Sequence, residues 1–288
     1  MQAIGVKGLV VVAGVLGLST LAQAADLGAE MPVVTAEPAP APDREWTITL
    51  GGYFMAEPDY WGSDDYEFAF RPLISISRAD QLSSFDSFND SPSIALWDNG
   101  VAELGIVGAL YWKRDASDSP DLRGLKDIDY AYLVGGYGQW YPVDWLRLRA
   151  EVMYGFGGFE GVVANLAADA IYFSDSLGGV TISAGPRMTL ASSGYIDTYF
   201  GISPLEAQVA QLLGNNVTPY EAGGGVYSVG VGAQISKRFT KNITGSVFGE
   251  YDYLLDDAAD SPIVAQSGDR NQFQAGVSLS YTFFLGFE

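Results

Sequence analysis

The feature that most constrains this chain is a strict alternation of apolar and polar residues, seen most clearly at Asn271–Phe284. Every second residue from Phe273 is apolar or aromatic, whereas the residues between Gln272 and Thr282 are Gln, Gly, Ser or Thr. A period of two residues places one class of side chain on each face of a β-strand. The stretch is therefore predicted to be a strand whose apolar face contacts either a protein core or lipid.

The same alternation returns along the chain after Glu45. Besides the clear cases, there are short pieces near Ile94 and Tyr199 and a weaker stretch at 162–172. Turn-forming strings such as "DNG", "PVD" and "SSG" separate these stretches. About twelve strands are predicted, or ten if the irregular region Asp80–Asp98 does not span. The clear cases lie at 46–54, 66–76, 102–112, 128–140, 146–154, 180–190, 227–235, 243–253 and 271–284.

One segment has helical character instead. In "SPLEAQVAQLL", Ser203 is suited to cap a helix, Pro204 suits its first position, and Glu206 follows the cap by three residues. The spacing predicts a short helix within a loop.

Two all-β architectures are compatible with many alternating strands: a soluble sandwich and a membrane barrel. The alternating stretches run to about ten residues, which suits strands that cross an outer membrane at a tilt, and aromatic residues stand near the ends of their apolar faces. Backbone groups in hydrocarbon must all be paired, so spanning strands require a closed barrel. The prediction is a transmembrane antiparallel up-and-down β-barrel with its apolar face towards lipid.

The N-terminus has the pattern of an export signal. Lys7 precedes the apolar run "GLVVVAGVLGLSTLA", and Ala22-Gln23-Ala24 fits a cleavage site of small residues. We expect a signal peptide at residues 1–24 that is cleaved after Ala24, a flexible leader rich in Pro and Ala at 25–44, and the barrel at 45–288. This organisation predicts a location in the cell outer membrane.

Composition removes several classes of function. The chain has no Cys and no His, so disulfides, thiol chemistry and histidine-based triads or metal sites are excluded. Its 35 acidic residues outnumber 15 basic ones, which argues against a nucleic-acid partner. The acidic loops lack the spacing of a calcium loop. No enzyme activity, cofactor or metal site is predicted.

Several strings resemble the MipA/OmpV family of outer-membrane proteins. They are "PDYWGS" at Pro58–Ser63 followed by Tyr66 and Pro72, "TYFGIS" at Thr198–Ser203, "YEAGGG" at Tyr220–Gly225, "LLDDAADSPIV" at Leu254–Val264, and "YTF" at Tyr281–Phe283. The resemblance runs from Trp46 to Phe283. The chain departs from other outer-membrane barrels by ending on "LGFE" after Phe284, where such barrels commonly finish on an aromatic residue.

The resemblance implies a place in the outer membrane of Gram-negative bacteria, beside its lipid and lipopolysaccharide. One branch of the family is described as a scaffold between a murein hydrolase and a murein synthase, and other members are associated with osmotic response or host adhesion. No catalytic residue belongs to the family. We therefore expect a barrel of scaffold type that docks peptidoglycan-remodelling enzymes, with a small-solute channel or a surface adhesin as the alternatives.

The candidate functional residues are charged residues whose strand parity points into the lumen. Opposed charges in a narrow lumen can filter solutes, or they can fill the interior as cross-barrel ion pairs, and a barrel of about twelve strands lies between plugged and open sizes. Both roles stay open at this point for the candidate set: Arg71, Glu103, Arg147, Arg149, Glu151, Arg187, Glu250 and Asp252.

Overall fold

The computed structural model describes residues 46–78, 85–174 and 176–285. The expected signal peptide at 1–24, the leader at 25–44 and the last three residues of the chain lie outside the described residues. None of the helices in the described ranges combines the length and the apolar character that a membrane-crossing helix requires.

Eleven strands occur in the described part of the chain, a number between the ten and the twelve expected. In chain order they are β1 (Trp46–Pro58), β2 (Tyr66–Arg78), β3 (Ser93–Asp98), β4 (Ala102–Tyr111), β5 (Ala131–Val143), β6 (Leu146–Gly157), β7 (Gly161–Ser174), β8 (Val180–Ala191), β9 (Gly225–Arg238), β10 (Ile243–Leu254) and β11 (Asn271–Leu285).

Helices occupy the connections after β8 and β10, and a single 3-10 turn at Pro120–Leu122 lies between β4 and β5. The α-helices are α1 (Ser193–Phe200), α2 (Pro204–Leu212), α3 (Asp256–Asp260) and α4 (Pro262–Ala265). The helix expected in "SPLEAQVAQLL" is confirmed as α2: the Ser203 side chain accepts from the Glu206 N–H, and the Glu206 carboxylate accepts from the Ser203 N–H.

Two expectations about strand residues were wrong. The piece near Tyr199 is the helix α1, because helical spacing places Tyr195, Tyr199 and Phe200 on one buried face. Ile128 does not continue the outward row of β5; it pairs with Arg114 in an isolated bridge and is buried among the long loops.

The strands form one sheet in the order β2-β1-β11-β10-β9-β8-β7-β6-β5-β4-β3. Each neighbouring pair is antiparallel, and the sheet curls until its two edge strands, β2 and β3, approach one another. Strand direction alternates from one strand to the next, and β2 and β3 are the first and last of eleven strands, so they run in the same direction. The chain must therefore run back along the sheet between them, and the described part of this return, Phe85–Pro92, lies on the inner face; we call it the inner segment.

The two faces of the sheet have the distribution of a barrel in lipid. In β11, Phe273 is 53% exposed whereas its neighbour Gln272 is 1% exposed. In β6 the arginines are buried, and the apolar residues that alternate with the inward row, such as Leu148 and Val152, are exposed. Apolar side chains thus face outward and charged ones inward, as expected for an outer-membrane β-barrel.

The connections divide the barrel into two ends. One end, here the short-turn end, has brief turns at 99–101, 144–145 and 239–242. The opposite end, here the long-loop end, has the long connections at 112–130, 192–224 and 255–270. The inner segment and the long loops are the two elements that occupy or cover the lumen.

An arginine placed on the outward face should destabilise the barrel. Val152 lies near the middle of β6 and faces outward, so we expect Val152→Arg to lower the free energy of unfolding by about 2–4 kcal/mol in lipid vesicles. Leu205→Arg, at an exposed loop position on α2, is the matched control and should change it little. Denaturant unfolding followed by the gel shift of the folded barrel measures both; equal effects would contradict a lipid-facing Val152.

Candidate functional site: the ion-paired lumen

Strand β6 brings three of the candidate charges onto one inner row. Arg147, Arg149 and Glu151 alternate with outward residues, so each lies two positions from the next on the lumen side. All three are buried, and Arg147 has no exposed surface. A charge with no solvent contact must be paired within the protein, and this requirement determines the rest of the site.

The partner of Arg147 is Asp169 on β7, which stands opposite it in the β6–β7 ladder. Arg147 donates from Nη2 and Nε to Asp169 Oδ2, at 2.7 and 3.1 Å, and both side chains are fully buried. Arg187 on β8 donates from Nη2 to the other oxygen, Asp169 Oδ1, at 2.5 Å. One carboxylate thus joins arginines from two different strands, and bonds to charged groups are stronger than neutral ones.

The inner segment supplies a second carboxylate. Asp90 accepts from Arg147 Nη1 at 2.5 Å and from Nη2 at 3.0 Å, and Arg149 Nε lies 3.6 Å from its Oδ1. The two arginines offset the cost of withdrawing the Asp90 carboxylate from solvent. The inner segment is therefore attached to the barrel wall by ion pairs.

Aromatic contacts fix the inner segment as well. Phe88 stacks on Phe248 of β10 with ring centroids 4.2 Å apart, and its N–H donates to Gln234 Oε1 at 2.8 Å. The Phe85 ring lies 4.6 Å from the Arg147 guanidinium. These contacts join the segment to strands on both sides of the lumen, so the segment crosses and obstructs the interior.

The remaining candidates divide into those near this network and one that stands apart. Glu103 contacts the Tyr137 hydroxyl, and the Tyr137 ring lies 4.2 Å from the Arg149 guanidinium. Arg149 also donates to Glu151 Oε1 at 2.8 Å.

On β10, Glu250 accepts from Asn89 of the inner segment, and Asp252 is buried on the same inner row. Arg71 is not part of the network: it pairs with Glu57, remains partly exposed, and lies 5.2 Å from the Trp112 ring.

A small polar cavity lies between the network and the two sheet edges. Its volume is ≈ 20 Å³, enough for about one water molecule. Its lining includes Ser75 and Ser77 of β2, Ser93 of β3, Asp86 of the inner segment, and Glu103. The cavity shows that polar groups line the interior where β2 and β3 meet.

At the long-loop end the interior is apolar. Tyr195 and Phe200 of α1 pack with Phe159, and the Phe159 and Tyr195 rings meet edge to face at 5.0 Å. Helices α2, α3 and α4 and the 112–130 loop add further buried side chains to the same cluster: Ala116, Leu122, Ile128, Ala207, Ala210, Ala258, Ala259, Ile263 and Val264. We call this cluster the apolar cap, and it covers the lumen at that end.

The prediction from sequence omitted two essential carboxylates. Asp90 falls in the irregular region before β3, where strand parity gives no direction. Asp169 falls in the weak alternation of β7, but a signal was present: in a hairpin that turns between β6 and β7, Arg147 and Asp169 are equidistant from the turn and so face each other.

Acidic side chains also gather outside the lumen. Carboxylate oxygens of Asp64, Asp65 and Asp121 lie within 4.8 Å of one another at the long-loop end. They come from two loops, so the spacing within either loop gave no sign of them. Exposed acidic clusters are common without a metal, so the proximity of these three carboxylates does not by itself indicate a metal site.

Removing the shared carboxylate should be costly. Asp169→Ala removes the carboxylate that pairs with the buried Arg187 and leaves Arg147 with Asp90 alone, so we expect a loss of about 3–5 kcal/mol in the free energy of unfolding. Asp260→Ala breaks an ion pair with Arg270 whose side chains are largely exposed, and this control should cost at most about 1 kcal/mol. Urea unfolding in detergent micelles measures both variants; losses of similar size would refute the central role of Asp169.

Comparison with known proteins gives one family. The family model described as "MltA-interacting protein MipA" matches residues 50–283. No protein of curated function matches the chain in sequence.

Among solved structures, the chain is similar to the N-terminal β-barrel domain of Pseudomonas aeruginosa OprF, with 13% identity over 64% of this chain and 96% of that one and a TM-score of 0.26. It is also similar to Neisserial surface protein A (8% identity, 84% and 97% coverage, TM-score 0.26). P. aeruginosa OprG gives 9% identity, 84% and 97% coverage and a TM-score of 0.27. TM-scores this low do not establish a shared fold, and the evidence for the barrel is the strand pairing of this chain.

Proposed function

Because the chain belongs to the MltA-interacting protein MipA family and the lumen of its barrel is filled, we propose that it is an outer-membrane scaffold that docks peptidoglycan-remodelling enzymes. Membership of this family supports a place among outer-membrane barrel proteins. The name of the family states an interaction with MltA, a murein-related enzyme, and this supports a partner of that kind.

The filled lumen is the observation that carries the proposal. Arg147 and Asp169 have no exposed surface, the inner segment crosses the interior, and the apolar cap covers the long-loop end. An open pore needs a continuous polar path, whereas a scaffold needs only a stable body and an accessible surface. The filled interior argues against the channel alternative.

The docking surface is assigned to the short-turn end. Outer-membrane barrels have short turns towards the periplasm and long loops outside, and murein-remodelling enzymes act in the periplasm. The signal peptide at 1–24 and the leader at 25–44 complete the proposal: export places the mature chain in the periplasm, and β1, which follows the leader in sequence, begins at the short-turn end.

The adhesin alternative has one observation in its favour. Helix α2 buries Ala207 and Ala210 but exposes Leu205 and Leu212, the latter by 87%. Exposed leucines on a loop helix at the long-loop end are suited to contact another protein. A surface of this kind would serve a partner outside the cell.

Conductance tests whether the lumen is closed. We expect the wild-type barrel to give no open-channel steps in planar bilayers, because the ion-paired network and the inner segment fill its cross-section. Arg147→Ala/Arg149→Ala should raise conductance if these side chains constrict a path, and Arg123→Ala/Lys126→Ala, at exposed loop positions, should not.

Folding of each variant is checked first by the heat-dependent gel shift. Porin-like steps from the wild type would overturn the scaffold proposal. Unchanged conductance in the Arg147/Arg149 variant would show that these two residues do not constrict a path for ions.

Crosslinking in intact cells tests docking directly, and the absence of native Cys makes single-cysteine variants clean probes. Leu177 is exposed in the turn between β7 and β8 at the short-turn end, and Leu205 is exposed at the long-loop end. We expect Leu177→Cys to capture a murein hydrolase or synthase and Leu205→Cys to capture neither. Capture from Leu205→Cys alone would refute the assignment and favour a partner at the outer surface.

A further inference from the structure

The turn between β9 and β10 concentrates positive charge in an acidic protein. Lys237, Arg238 and Lys241 fall within five residues, in a chain with 15 basic residues against 35 acidic ones. All three side chains are exposed, and none of the ion pairs found within 46–78, 85–174 and 176–285 involves them. We call these three residues the basic turn.

Lys237 of the basic turn continues the lipid-facing row of β9. Val231 and Ile235 are exposed on that row, Lys237 is the next residue along it, and Phe239 follows with 61% of its surface exposed. The Phe239 ring lies over Gly245 of β10, where an added Cβ would come within 2.9 Å of it. An apolar row that ends in a cation and an aromatic ring is the pattern of a membrane–water interface.

The turn is held in place by hydrogen bonds to the neighbouring strands. Asn242 Nδ2 donates to the Thr282 carbonyl at 2.6 Å, and the Thr282 N–H donates to the Asn242 carbonyl at 2.8 Å, which ties the turn to β11. On the other side, the Arg238 N–H donates to the Gly179 carbonyl at 3.3 Å. The three cations are therefore presented from a fixed position at the rim of the barrel.

We propose that Lys237, Arg238 and Lys241 form a binding site for the phosphate groups of anionic phospholipids at the short-turn rim. Arginine and lysine bind phosphate through charge-assisted hydrogen bonds, and basic residues at a bilayer surface attract anionic headgroups. The partner is a lipid because Lys237 lies on the outward row and Arg238 and Lys241 are exposed beside it in the same turn, so an anion that meets them at the rim lies at the bilayer surface.

The two ends of the barrel differ in charge. Acidic side chains dominate the long loops, as at Asp64, Asp65 and Asp121, whereas the basic turn stands at the opposite end. By binding headgroup phosphates, the three cations would hold the short-turn rim at the bilayer surface and so fix how deeply the barrel sits in the membrane. It depends on the barrel lying in a membrane and not on the scaffold function.

The test compares lipid selectivity in vesicles of phosphatidylcholine with a minor share of phosphatidylglycerol. Spin-labelled phosphatidylglycerol and spin-labelled phosphatidylcholine report the relative association of each lipid with the full-length folded protein. We expect the wild type to prefer phosphatidylglycerol and Lys237→Gln/Arg238→Gln/Lys241→Gln to lose this preference, by on the order of fivefold for each cation removed. Single Lys237→Gln and Lys241→Gln variants should each give a smaller loss, and they serve if the triple variant does not fold.

Two controls separate this site from general charge. Lys237→Arg/Arg238→Lys/Lys241→Arg keeps every charge and should retain the preference, and Arg123→Gln/Lys126→Gln removes two exposed cations at the long-loop end and should retain it too. Equal selectivity in the wild type and the triple variant would overturn the proposal, as would an equal loss in the long-loop control. Displacement of the labelled lipid by millimolar inorganic phosphate would overturn the assignment to lipid and indicate a general phosphate site.

Discussion

The pairing of charge inside the barrel is the constraint on which the rest of the structure depends. An exterior that faces hydrocarbon must be apolar, so the polar residues of each strand are directed into the lumen. At Arg147 this leaves a guanidinium with no solvent, and Asp169 and Asp90 together satisfy its donors. A buried pair of this kind is weak evidence of net stability, but the loss of one partner is costly. Its effect is to fix where the strands and the inner segment lie.

The inner segment follows from the topology as much as from its own sequence. Since β2 and β3 point the same way, the chain has to return along the barrel between them, and the lumen is where it can do so next to polar partners. Asp90 meets arginines there, and Phe88 meets Phe248. A passage for solutes and a return path for the chain compete for the same space, and in this barrel the chain occupies it.

Most of the architecture could be predicted from strand periodicity, because every second side chain of a membrane-spanning strand faces lipid and is therefore apolar. It also placed Arg147, Arg149 and Glu151 on one inner row, and capping chemistry located α2. The inner segment could not be predicted, since Asp90 lies in irregular chain whose position depends on the direction of distant strands. Helix α1 was missed because Tyr195 and Tyr199 resemble a short strand piece, and only packing in the apolar cap shows that their spacing is helical.

The seam between β2 and β3 shows how the interior and the wall are linked. No ladder joins these strands within the described residues, and unpaired backbone groups are costly in hydrocarbon unless they line a polar cavity. Behind the seam, Ser75, Ser77 and Ser93 line such a cavity, next to Glu103 and Asp86. The polar network therefore does more than fill the lumen: it gives the one unpaired junction of the described wall a polar environment on its inner side. Glu103 and Arg149 line this cavity, whereas Arg71 lies further along β2, outside its lining, and pairs locally with Glu57.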